Sequence, residues 1–400
     1  MYENLYKLYR KDEFLYRNQY LERFNCPFSK HFSIKTREYN RRTENELFYC
    51  FSEEILYFQD KITLDTVKLL KLLQKIPLVG IKQYLNSCLV EEIKSSNDIE
   101  GVQSTKKEIR SVLKSTTEKR KNLRLGGIVN KYLKILQFEE IKLETPSDIR
   151  NLYDDFIADE IEDLPDGKIF RKGSVEVVTA SQKVIHKGLY PEEKIIEYME
   201  RSLNLLHDEE LPMLIRIAIF HYLFGYIHPF YDGNGRMSRF ITAYYLSKYL
   251  DPTIGLRLSI LIKIDKNKYY ELFKITNSEI NKGDLTPFII GTLKLISIAI
   301  EHTMKILQSK HQKYNLFKNN TEFLKLSSDT KIDNLCDLLL QAAIFSDIGI
   351  TSFELQSVLK KSENTISAKL KQIPQKYLIK DVSARPYHYK LNLSMFNKIK

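Results

Sequence analysis

Residues 210–250, ELPMLIRIAIFHYLFGYIHPFYDGNGRMSRFITAYYLSKYL, constrain the fold more than any other stretch. They predict two helices joined by an unavoidable break. The first runs from Glu210 to Ile227, with Pro212 suited to its first turn, where a missing N–H removes no helix bond. Gly225 marks its expected end, and Pro229 blocks its continuation. Asp232-Gly233-Asn234-Gly235 then supplies residues tolerant of positive φ, and a second helix opens directly after it. The break is a glycine-rich turn feeding a helix N-terminus. Such a turn converges main-chain N–H groups on one point and forms an anion nest.

The side chains around that turn extend the reading. Arg236 and Arg239 are three apart and project from one face of the first turn. Two guanidiniums beside a nest specify a polyphosphate more strongly than one, because each can bind bidentately. Asp232, at the lip, suits a Mg²⁺ that accompanies phosphates. His228 could take a proton from an incoming hydroxyl. A lone DGNG would imply only a turn. A base, a metal ligand, a nest and paired arginines within twelve residues imply phosphate chemistry.

The segment HPFYDGNGRMSR resembles the signature of the Fic family, H-x-F-x-(D/E)-G-N-G-R-x-x-R. It matches at His228, Phe230, Asp232, Gly233, Asn234, Gly235, Arg236 and Arg239. The resemblance implies a mainly α fold, with a Fic helical core and a β-hairpin flap. It implies transfer of AMP from ATP, with Mg²⁺, to a Ser, Thr or Tyr hydroxyl of a protein. His228 would be the base, Asp232 the metal ligand, and Gly233-Asn234-Gly235 the cradle for the α- and β-phosphates. Arg236 and Arg239 would hold the β- and γ-phosphates, Phe230 would pin the loop to the core, and Tyr231 and Met237 would join the nucleotide site. In KGSVEVVTASQKVIHKGL, Val175 and Val177 alternate around Glu176, and polar residues 179–182 separate two strand-like runs. That hairpin falls where the family has a flap that clamps its target by strand addition, and Val178 and Thr179 would border the nucleotide. KYYELFKITNSEINKGDLTPFI is similar to later family segments, which would place Tyr269, Tyr270 and Asn277 at the adenosine. Ordinary core aromatics and a polar helix residue are the competing reading.

A second stretch, KSSNDIEGV at 94–102, ends a helical pattern, with Gly101 suited to the position just past the end. Ser96 and Glu100 are four apart and share a face. Exposed polar residues at a helix end are the plain reading. The segment also resembles the family's inhibitory motif, (S/T)-x-x-x-E-(G/N), on a helix at about 81–101. By that resemblance Ser96, Glu100 and Gly101 form a brake. Glu100 would pair with Arg239, taking the charge due to the γ-phosphate and leaving the α-phosphate misaligned. Three other uses stay open. Glu100 could orient water to remove AMP, the nest could take another phosphate-containing donor, or the Fic part could serve a nucleotide-sensing DNA-binding regulator.

The tail differs. From about Asp329, three short helical patterns precede two strand-like runs. Thr351 stands three before Glu354, a capping-box spacing, and Ser362 caps the next helix. KYLIKDVSARPYHYKLN reads as strand, turn at 384–386, strand. Residues 361–400 hold nine Lys/Arg against two acids, a local +7 in a chain of +11. The arrangement resembles a winged helix-turn-helix with 362–373 as recognition helix. Its basic face could grip DNA through 362–390, or the module could serve dimerisation or packing.

The expected division is an N-terminal helical region at 1–144, a Fic core at 145–301, a connecting helix or linker at 302–328 and the winged helix at 329–400. With 400 residues, 43% hydrophobic and 28% charged, the chain reads as a soluble folded protein. Cys26, Cys50, Cys88 and Cys336 lack metal or disulfide spacing and read as reduced, buried thiols of a cytoplasmic protein. The first residues are too charged and aromatic for a signal peptide. Apolar runs such as LISIAI fall short of the roughly 20 residues that cross a bilayer, so no membrane partner is expected. The partners expected are a target hydroxyl, which this chain itself could supply, and a second copy of the chain.

Overall fold

The structure, a computed structural model, describes residues 2–157, 160–178, 184–328, 333–382 and 386–396. The chain is mainly helical and divides into two compact units. One comprises Met1–Asp65 and Val90–Ile300, the other Thr66–Leu89 and Glu301–Lys400. Residues 1–144, expected as one N-terminal region, are therefore shared between both units.

The centre of the first unit is the helix pair read from 210–250. Met213–Ile227 is buried around its whole circumference, as a helix apolar on every side must be. It continues two residues past the expected end at Gly225. That glycine answers a packing need instead, since a Cβ there would lie 2.6 Å from the Phe273 ring. His228 ends the helix in the left-handed region, at φ 52°. Asn234–Tyr249 follows, with Gly233 before it at φ 81°. Glu192–His207 packs along the first helix, and Gly126–Gln137 along the second. Tyr132 and Phe156 close on Phe240 at 5.0 and 4.7 Å between ring centroids.

The N-terminal region is not wholly helical, contrary to expectation. Ser29–Thr36 and Asn45–Cys50 pair antiparallel, with Ser29 opposite Cys50 and Thr36 opposite Asn45. Leu47, Phe48 and Tyr49 are buried. Phe48 exchanges main-chain bonds with Gly283 (3.1 Å) and Leu285 (2.8 Å). The sequence hid this strand because its further partners lie far along the chain. The flap pairs Glu176–Val178 with Val184–Lys187 antiparallel, Val177 opposite His186. The expected turn residues 179–182 lie outside the described residues.

In the second unit, Asp333–Phe345, Ser352–Leu359 and Glu363–Gln372 precede and flank a three-stranded antiparallel sheet. Its order is Ile350–Thr351, His388–Leu391, Leu378–Asp381. Thr351 and Glu354 form the expected capping box, and Ser362 caps Glu363–Gln372 through the Thr365 N–H. Residues 78–89 of the helix Leu78–Ile99 belong to this unit, where Gly80 donates to Gln341 and Gln83 to Glu354, both at 3.0 Å.

Thr286–Lys318 is a 33-residue helix, long and apolar enough to cross a membrane by length and composition, although half of its most apolar window is buried in the fold. Cys88 and Cys336 are buried, but Cys26 and Cys50 are only half-buried.

Candidate active site

The turn at 228–235 is held by one side chain. Asn234 accepts from the Phe230 N–H (3.0 Å) and donates to the Phe230 carbonyl (2.8 Å), stapling the loop to the helix it opens. Phe230 is fully buried, stacked on Tyr153 at 3.8 Å and edge-on to Phe170 at 5.5 Å. The Met237 N–H makes the first main-chain bond of the helix, onto the Gly233 carbonyl at 3.0 Å. The N–H groups of Asn234, Gly235 and Arg236 have no intrahelical acceptor. They converge at the positive end of the helix dipole.

The two arginines differ in occupancy. Arg239, 1% exposed, is fully engaged by the end of Leu78–Ile99. It donates to Ser96 Oγ (3.1 Å), to the Ser96 carbonyl (2.9 Å) and to Glu100 Oε1 (2.7 Å). The Ser96 carbonyl is one of the last in its helix, so the guanidinium also caps that C-terminus. Burial pushes the Glu100 carboxyl up, but Arg239, Arg236 and His228 together hold it below the usual carboxylate range. Gly101, at φ 75°, turns the chain away from the helix. Glu100 also depends on Gly235, because a Cβ at Gly235 would lie 2.0 Å from Glu100 Oε1.

Arg236, 2% exposed, is only loosely held. Its nearest carboxylates, Glu160 and Asp232, stand 3.6 Å away, and its buried Nε and Nη1 make no hydrogen bond. A buried guanidinium with orphaned donors beside a helix N-terminus has the chemistry to receive an anion.

His228 accompanies them as a neutral imidazole. Burial, then His186 and Arg171, push it down to about 3. Its Nδ1 lies 3.4 Å from the Gly225 carbonyl. A proton at Nδ1 leaves Nε2 as the free base. Arg171, which the sequence did not single out, anchors this region. Fully buried, it donates to the carbonyls of His228 (2.9 Å) and Leu189 (2.8 Å) and also to that of Gly173. It fixes the base against the root of the flap. No local pattern in KIFRKGSVEV marks it, since its acceptors come from three separate segments.

His221 was also missed. It bonds Thr242 Oγ1 and the Tyr269 hydroxyl, both at 2.8 Å, and burial first, then Arg239, push it down to about 3. The unfolded chain takes up a proton as pH falls through about 6.5, whereas the folded chain does not until near 3. Stability is therefore lost as pH falls through that window. At pH 5 the loss is about 2 kcal/mol from this residue. Denaturant unfolding at pH 7 and pH 5 should show that difference shrinking by a similar amount in His221→Gln.

The remaining expected residues sort by contact. Tyr231 donates to Asp166 Oδ1 and accepts from the Gly173 N–H, both at 3.0 Å, clasping the 166–173 loop to the turn. Met237 is fully buried beneath the turn, and its N–H donates to the Gly233 carbonyl. Tyr269 and Tyr270 pack on Ile99, Leu258 and Ile262, beside Glu100 and Arg239. Asn277 Oδ1 accepts from the Tyr222 hydroxyl at 2.8 Å. Val178 is exposed on the flap, and Thr179 lies outside the described residues. Asp232 is the exposed carboxylate at the lip, accepting from the Gly233 N–H at 2.5 Å. No cluster of three or more metal-ligating side chains occurs among the described residues. One carboxylate fits a Mg²⁺ that draws its other ligands from nucleotide phosphates and water, not from a protein cage.

A half-buried neutral histidine and two buried arginines around one helix start form an arrangement suited to holding phosphate. Residues 143–246 match the Fic/DOC family. The chain is 36% identical over 95 residues to the "Protein adenylyltransferase Fic" of Drosophila yakuba, covering 24% of this chain and 17% of that one. For the protein of the same name from Drosophila melanogaster the values are 35%, 24% and 18%. The chain thus spans under a fifth of the length of the curated relatives it matches. The solved structure of a Fic family protein from Desulfovibrio desulfuricans G20 superposes with a TM-score of 0.50 at 17% identity, over 86% of this chain and 97% of that one. That likeness concerns the fold.

Proposed function

We propose that the chain is a self-inhibited protein adenylyltransferase, moving AMP from Mg-ATP to a protein hydroxyl. The observation that carries this is Arg236, buried with two orphaned donors beside a free helix N-terminus. The matched relatives' name, protein adenylyltransferase, supports AMP as the transferred group. The first-turn N–H groups would receive the α- and β-phosphates, and Arg236 the charge beyond them. The target oxygen attacks the α-phosphorus, its proton passes to His228 Nε2, and the bond to the β-phosphate oxygen breaks to release pyrophosphate. A Mg²⁺ held through Asp232 would neutralise phosphate charge. Glu100 on Arg239 keeps the γ-phosphate from its cation, and a nucleotide bound without that anchor is poorly aligned. The target can be another protein or this chain itself.

Two labels separate the reaction classes. With Glu100→Gly, protein should take label from α-labelled ATP and none from γ-labelled ATP. Transfer of the γ-label would mean phosphorylation and would refute the proposal.

A second role is supported by the tail, whose three helices and three-stranded sheet suit a winged helix. Lys371, Lys376 and Lys380 are exposed there, so the tail can carry a DNA-binding role beside the transferase.

A further inference from the structure

A cavity of about 360 Å³ opens beside the root of the flap. Three separated stretches build it: 37–41 after the strand Ser29–Thr36, 187–190 leaving the strand Val184–Lys187, and Lys194 with Tyr226 behind them. Its charge is one-sided. Arg37, Arg41, Lys187 and Lys194 line it against the single carboxylate of Glu38. Glu38 is already engaged, accepting from the Glu279 N–H at 2.8 Å. Arg41 and Lys194 have distant partners, Glu279 at 3.5 Å and Glu44 at 4.0 Å. Among the described residues Arg37 and Lys187 have no ion pair. Lys187 lies 5.3 Å over the Tyr190 ring, which leaves its ammonium donors open to an anion. Tyr226 is buried at the floor, its hydroxyl accepting from the Arg37 N–H at 2.9 Å. Four cations against one engaged carboxylate favour an anionic side chain as ligand.

The cavity's position relates it to the base. Lys187 precedes Gly188, where a Cβ would lie 2.9 Å from His228 Cβ. The Leu189 N–H donates to the Ile227 carbonyl at 3.1 Å. The strand that leads into the cavity therefore runs against the backbone of His228. A target segment extended along that strand, with its hydroxyl at His228, would carry a flanking side chain towards the cavity, since an extended chain advances about 3.3 Å per residue.

We propose that this cavity is a selectivity subsite for the target protein and takes an Asp or Glu side chain that flanks the accepting hydroxyl. The proposal rests on the transferase reading, and its test separates the two. Two fluorescent peptides are used, identical around one tyrosine except that one carries glutamates and the other lysines at the flanking positions. Binding to the full chain is read by anisotropy without nucleotide. The glutamate peptide should bind at least tenfold more tightly, and Arg37→Glu with Lys187→Glu should invert the preference. That inversion also shows that the doubly substituted chain is folded. Equal binding of the two peptides overturns the subsite. Displacement of the glutamate peptide by free glutamate as effectively as by unlabelled peptide assigns the cavity to a small anion and overturns it too. In the Glu100→Gly protein with α-labelled ATP, the glutamate peptide should be labelled preferentially. Tight binding with neither peptide labelled overturns the transferase reading and leaves an anion-binding cavity.

Discussion

Replacing Glu100 by glycine is expected to raise AMP transfer by about two orders of magnitude. Arg239 is fully buried and makes every strong contact with one helix end: Ser96 twice and Glu100 once. Glu100 is the one charged partner among these, at 2.7 Å. Its removal frees the Arg239 cation from its ion-pair partner, at the place a γ-phosphate would occupy. Misplacing a reacting group by about 1 Å costs roughly 10²-fold in rate, and correcting the pose should return a similar factor. The same substitution removes a charge-assisted bond from a buried guanidinium. Because Glu100 is 28% exposed, stability should fall by only about 2 kcal/mol. A protein that becomes faster as it becomes less stable is the signature of a brake. Initial rates of α-label transfer and denaturant unfolding on the same preparations read both quantities.

His228→Ala in the Glu100→Gly background is expected to lower that rate by about 10²–10⁴-fold, the usual contribution of a positioned base. Nucleotide binding should persist, because Asn234 and Phe230 hold the turn without the imidazole. The pH profile gives a sharper reading. An ordinary histidine loses its base form below about pH 6.5. His228 is pushed down to about 3 by burial and by His186 and Arg171, so its base form persists as pH falls. Transfer by Glu100→Gly should stay level from pH 8 to about pH 5.5. A rate that halves near pH 6.5 would show that the imidazole is more solvated than its surroundings suggest.

The sequence made legible what is local. The turn at 228–239 could be read because its base, lip carboxylate, glycines and arginines lie within one short run, and the structure places them around one helix start. The Ser96 and Glu100 pairing with Arg239 was reached by resemblance alone, since nothing in KSSNDIEGV points to a partner 139 residues away. Arg171 and His221 were invisible for the same reason. Each is defined by hydrogen-bond partners from separate segments, and a single Arg or His in a run carries no such information. The strand Asn45–Cys50 was absorbed into a helical reading because its pairing with 283–285 is non-local. Gly225 misled in the opposite direction, having been read as a helix end when it makes room for Phe273.

The most direct test of the central claim is transfer from α-labelled Mg-ATP to a mixed protein extract, which offers many hydroxyls and does not require the chain to modify itself. Wild type, Glu100→Gly and Glu100→Gly with His228→Ala are compared on one gel, with ATP binding measured for each. The account predicts faint labelling by wild type, strong labelling by the single variant and none above background by the double variant. Equal labelling by all three, or no labelling by a Glu100→Gly protein that binds ATP, would contradict it.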